Sequence, residues 1–141
     1  MQVLKVMFTY LYRRRWTLLC TVLLVPLGFY TKAYSGPASV WVHHSLGGVL
    51  YVLFFSLFFS ILFPAARPWK IALPVFLGTC GLECLQLWHP PILESLRSTF
   101  LGAALLGNSF SWPDLGHYLA GGFLSLGMLT LLIKSENSKR Y

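Results

Sequence analysis

The chain has 141 residues, of which 56% are hydrophobic, 16% aromatic and only 11% charged, with a formal net charge of +7. Soluble domains carry about 25% charged residues, and the apolar runs here continue around every face of a helix, which excludes a soluble fold and implies an all-α, polytopic membrane bundle in a single domain, 1–141. Nucleic acid is excluded as a partner, because the basic residues flank apolar segments instead of building a soluble basic surface; the bilayer is the partner they imply.

Residues 1–12 are apolar and aromatic but too short to span, so they read as an interfacial lead-in to Arg13, Arg14 and Arg15. A first span follows at about 16–30. It is read as a retained signal anchor, with the small residues of AYSGPAS as the alternative of a cleavage site. After a Gly/Pro loop holding His43 and His44, a second span runs over about 45–63 and ends at Pro64. The basic turn of Arg67 and Lys70 leads to a third span, about 71–88, closed by Pro90 and Pro91. Within the segment of about 92–110, the apolar stretch from Thr99 to Phe110 is too short to cross and rich in Gly and Ala, so the segment reads as re-entrant or interfacial, with that stretch as its helix. A fourth span, about 115–133, carries small residues in AGGFLSLG that let helices approach closely.

Counting charges sets the topology. With four spans, nine of the eleven basic residues (Lys5, Arg13, Arg14, Arg15, Arg67, Lys70, Lys134, Lys139 and Arg140) fall on one side, and only Lys32 and Arg97 on the other. The positive-inside rule makes the first side the cytoplasm, with both termini there. A fifth span would make the split nearly even.

This topology gathers His43, His44, His89 and His117 with Glu83, Glu94 and Asp114 toward the external half, joined by Gln86 and Arg97. Glu83 and Gln86, at i and i+3, share a helix face, and Glu83 lies about 7 Å inside the Trp88 end. A carboxylate at that depth needs a cation, hydrogen bonds or a proton, and Arg97 and His89 are the nearest candidates in sequence. Three readings follow. The polar set forms a network pinning the re-entrant segment; it binds a lipid headgroup, a lipid-linked glycan or another envelope protein through Glu83, Gln86, Arg97, Asp114, His89 and Tyr118; or it acts on such a substrate with Glu83 or Asp114 as acid or base and Arg97 as charge stabiliser. Binding is the leading function, an enzyme or an accessory membrane subunit the alternatives.

No cofactor fingerprint is present, and no H-x-x-x-H, H-E-x-x-H or C-x-x-C spacing. His43, His44, His89 and His117 are weak metal candidates only, and no metal or cofactor is expected. Cys80 and Cys84 read as small packing residues. Transport is disfavoured, since four short spans without an internal repeat leave little room for a gated path.

GLECLQL followed by LESLRSTFLGAALLGNSFSWPDLGHYLAGG resembles the VanZ-like superfamily of small bacterial membrane proteins, and more closely a sister family of unknown function with the pattern E-x-x-Q, R-x-T and F-x-W-x-D-L-x-x-Y. Here those positions are Glu83 and Gln86, Arg97 and Thr99, and Phe110, Trp112, Asp114, Leu115 and Tyr118. The resemblance implies a four- or five-helix protein of the cell envelope, and for some VanZ-like members reduced susceptibility to teicoplanin. It implies no reaction. The sister family usually opens its second span with Gly-Asp, where this chain has Gly47 and Gly48.

Overall fold

The computed structural model describes residues 2–138; Lys139 and Arg140, two of the basic residues in the topology count, lie outside the described residues. Among the described residues the chain forms helices and no strand. We number them α1 (Gln2–Arg13), α2 (Arg15–Ala33), α3 (Ser39–Leu62), α4 (Pro68–Leu85), α5 (Pro91–Arg97), α6 (Phe100–Leu106) and α7 (Trp112–Ser138). In α3 the residues Val42–Leu46 form a π-helical turn.

Three of these helices are long and apolar enough to cross a membrane: Arg15–Ala33, Ser39–Leu62 and Trp112–Glu136. Helix α4, at 18 residues, is not among them; it carries two charged residues, Lys70 and Glu83, and two prolines, Pro68 and Pro74. The helical runs extend past the predicted spans at most ends. At the end of α4 the reverse holds: the helix stops at Leu85, three residues before the predicted Trp88, because the amides of Gln86, Leu87 and Trp88 turn back in i→i−3 bonds onto Glu83, Cys84 and Leu85. The segment of about 92–110, read as holding one helix over 99–110, holds two short ones, α5 and α6, broken at Ser98 and Thr99.

Large apolar side chains such as Val22, Leu23, Phe123 and Leu131 point outward, while Thr17, Ser56, Ser60, Thr79 and Ser125 are buried between helices. This arrangement suits a lipid-embedded bundle, in which apolar faces meet acyl chains and small residues let helices approach. The buried hydroxyls mostly spend their protons on their own helix, as Ser60 does on the Leu57 carbonyl and Ser125 on that of Gly121, each at 2.7 Å. Helix α7 packs chiefly on α3 and α4, and α2 on α3. The α3–α7 crossing is tight at Gly121, where an added Cβ would stand 3.0 Å from both the Val49 carbonyl oxygen and the Val52 Cβ. A small apolar cluster of Leu57, Ile71 and Leu129 fills the half of the bundle nearer the chain termini.

That end of the bundle is tied by a residue that counting charges treats as a topology signal only. Arg14, buried at the α1–α2 junction, donates to the Pro64 carbonyl at 2.8 Å and to Glu136 at 3.2 Å, and the Thr17 hydroxyl donates to the same carboxylate at 2.8 Å. One guanidinium thus joins the start of α2, the turn after α3 and the end of α7. Removing one partner of a buried pair leaves the other charge unpaired, so Arg14→Met is expected to cost about 3 kcal/mol. A thermal melt in detergent checks it, and Arg14→Met with Glu136→Met together should recover part of the loss.

Candidate functional site

At the opposite end, α4, α5, α6 and the start of α7 build the polar site. Glu83, on the last turn of α4, is almost completely buried at 1% exposure. Its Oε1 accepts the Ser111 backbone amide at 2.7 Å, and its Oε2 accepts the Tyr118 hydroxyl at 2.6 Å and the Gln86 side-chain amide at 3.2 Å. Every one of these donors is a neutral group. The carboxylate is held by hydrogen bonds and by the N-terminus of α7, where the helix dipole favours negative charge.

Helix α7 begins with Ser111-Trp112-Pro113-Asp114, the S-x-x-D order in which the acidic side chain ordinarily reaches back to the amide of the first residue. Here Glu83, arriving from α4, takes that amide. Asp114 is left 7% exposed, with Oδ1 buried and without a hydrogen-bond partner. Buried polar atoms nearly always find partners, so the unsatisfied Oδ1 marks Asp114, a residue that lines the cavity, as the incompletely bonded group of the site.

Arg97 has a different task. Buried at 5% exposure, it donates to the Leu85 carbonyl at 2.9 Å, the Trp88 carbonyl at 3.0 Å and Glu94 at 2.8 Å. It satisfies carbonyls left open at the C-terminus of α4, where a cation is electrostatically favoured. Its charge partner is Glu94, not Glu83. Glu94 also meets His89 at 2.9 Å, and hydrogen bonds from His89 and Arg97 hold its carboxyl below the usual range. Arg97→Ala is expected to uncap α4 and loosen α5, lowering stability by about 2 kcal/mol, with Arg97→Lys intermediate because a single ammonium cannot span both carbonyls in the same planar fork; thermal melts of the two variants check the order.

A cavity of about 270 Å³ opens in front of Glu83, at the small end of ligand pockets, which run to about 300–1,000 Å³. Its charged and titratable lining comes from Glu83 on α4, Asp114 and Tyr118 on α7, His43, His44 and Tyr51 on α3, and Lys32 at the end of α2. The π turn widens α3 where the two histidines sit, so that adjacent residues both reach the cavity. Helix α6 forms one wall, fixed by Tyr51, whose hydroxyl donates to the Leu105 carbonyl at 2.9 Å, and by Phe100 stacked on Phe29. Gly107 ends α6 at φ 68°, a left-handed conformation that favours glycine, and any Cβ there would also collide with the Gln86 amide.

Gly48 lies under the Tyr118 ring, where an added Cβ would come within 2.7 Å of Cε1. The position at which the resemblance led one to expect aspartate therefore abuts the tyrosine that donates to Glu83. The histidines do not assemble as ligands: His43 bonds the Tyr34 carbonyl, His117 the Pro113 carbonyl and His89 the Glu94 carboxylate. Among the described residues no three of His, Cys, Asp and Glu come together in a metal-binding group. Of the two acid–base candidates, Glu83 has both oxygens occupied, whereas the buried Oδ1 of Asp114 has no partner.

The chain matches, over residues 38–122, a family described as a protein of unknown function (DUF2809). That region runs from the start of α3 into α7 and contains the site residues named above except Lys32, Phe29 and Tyr34. No solved structure matches the chain.

Proposed function

We propose that this chain, which belongs to the DUF2809 family, is a small membrane protein that binds the polar head of a lipid in the cavity between α3, α4, α6 and α7. The observation that carries the reading is Asp114, which lines a chamber whose other carboxylate is already satisfied while its own buried Oδ1 has no partner. A free buried acceptor calls for a donor, an amine or a hydroxyl, and the Lys32 side chain at the rim calls for an anion beside it. A phosphate ester bearing an amine or hydroxyls meets both requirements.

The environment supports the same class of ligand. Seven of the described basic residues (Lys5, Arg13, Arg14, Arg15, Arg67, Lys70 and Lys134) belong to the end tied by Arg14, against Lys32 and Arg97 at the site. The positive-inside rule then supports a four-span bundle with cytoplasmic termini, α4 as the remaining span, and a site near the headgroups of the outer leaflet of a bacterial inner membrane. The contacts of α6 with Phe29 and Tyr51, inside the lengths of α2 and α3, support a re-entrant α5–α6 segment. The likeness of the motifs to VanZ-like envelope proteins agrees with that setting.

The test is to purify the wild type and Asp114→Asn in mild detergent and compare co-purifying lipids by mass spectrometry. The reading expects a phospholipid class retained by the wild type and depleted from the variant. Equal retention of all classes would sink it.

A further inference from the structure

The polar cavity continues into apolar surface on two sides. Tyr51, Thr79 and Leu82, which line it, also line a groove of about 740 Å³ between α3 and α4 that runs along Phe55, Phe59 and Phe63. In the other direction Gly47, Tyr51, Ala104 and Leu105 are shared with a groove of about 220 Å³ between α2 and α3, walled by Leu24, Gly28 and Phe54. Tyr51 and Phe55 line both grooves. They form an aromatic ridge on α3, with their rings 4.7 Å apart, that separates the two.

A polar chamber opening on either side of one ridge into two apolar channels has the outline of a head with two hydrocarbon chains. From Tyr51 to Phe63 helix α3 advances about 18 Å at roughly 1.5 Å per residue, long enough for an extended acyl chain, which fills about 15 Å of a bilayer's depth. A single-chained molecule would cover one channel and leave the other bare. We infer that the ligand of the cavity is a two-chained lipid whose chains lie in these grooves, astride Tyr51 and Phe55; this rests on the headgroup reading above.

Each groove contains a glycine facing open space. An added Cβ at Gly28 or at Gly78 meets nothing within 4 Å, so a side chain at either position starts into open space on the groove wall, and leucine is the bulk chosen to obstruct it. The experiment titrates purified wild type, Gly28→Leu, Gly78→Leu and Asp114→Asn with diacyl phosphatidylethanolamine and with its single-chain lyso form, read by native mass spectrometry. The wild type is expected to bind the diacyl form at least about tenfold more tightly than the lyso form, since each buried methylene adds to affinity. Each leucine should weaken diacyl binding by about tenfold and lyso binding much less.

Equal affinity of the wild type for the two forms overturns the inference without relying on any variant. So does undiminished diacyl binding by both leucine variants. If Asp114→Asn weakens both probes while the leucines change neither, the two-chain inference falls and the headgroup reading stands. If the leucines act and Asp114→Asn does not, the chain placement stands and the headgroup assignment falls.

Discussion

Glu83→Leu is expected to be the most damaging single substitution in the chain. Leucine fills similar space but accepts no hydrogen bond, so the Ser111 amide, the Tyr118 hydroxyl and the Gln86 amide all lose their buried acceptor. Each unsatisfied buried donor costs about 1–3 kcal/mol, and because the three share one acceptor their losses do not simply add; about 4 kcal/mol is expected. In a chain of this size that corresponds to a fall of roughly 10 °C or more in Tm. Glu83→Gln keeps an oxygen but turns an NH₂ toward one of the donors, and should lose about half as much. Detergent melts of the two variants measure the order, and a Glu83→Leu protein as stable as wild type would show that the carboxylate does not hold α4 to α7.

Asp114→Asn is expected to behave in the opposite way. Asparagine has the same shape and removes a charge whose Oδ1 has no partner, so the empty protein should melt at the same temperature or slightly higher. Binding should suffer. A hydrogen bond to a charged group contributes about 1.5–3 kcal/mol, which is roughly a tenfold to hundredfold loss of affinity for a donor-bearing head. Stability kept and affinity lost together distinguish a residue that meets a ligand from one that holds the fold, since a structural residue would lose both. A titration with phosphatidylethanolamine alongside a melt supplies the two numbers.

The contrast between these carboxylates shows how far the sequence can be read. That Glu83 and Asp114 belong to one polar site follows from helix periodicity and the one-sided distribution of charge, and the cavity contains both. Their separate tasks were not legible, because they depend on which side chain reaches the Ser111 amide first, and that is decided by the packing of α4 against α7. The same holds for Arg97. A lone arginine near a lone glutamate in a membrane segment reads as an ion pair, but the open carbonyls of Leu85 and Trp88 and the nearby Glu94 compete successfully for its donors. Open carbonyls at a helix end leave no mark in the residue types.

The helices themselves were easier to read. Long apolar runs bounded by Arg15, Pro64, Pro68 and Trp112 admit few alternatives, and three of the resulting helices are long and apolar enough to cross a membrane. The end tied by Arg14 was not foreseen: Glu136 reads as a stray acid in a polar tail, yet it is drawn in against α2 by Arg14 and Thr17. The π turn that brings His43 and His44 to one cavity is likewise a tertiary choice, since neither histidine nor its neighbours break an α-helix.

The most direct test is an experimental density map of the protein in a lipid nanodisc. Non-protein density is predicted within hydrogen-bond distance of the Asp114 carboxylate, extending past Lys32 and continuing on both sides of Tyr51. A cavity closed by the Lys32 ammonium folding onto Asp114, with no density beyond the side chains, would contradict the account.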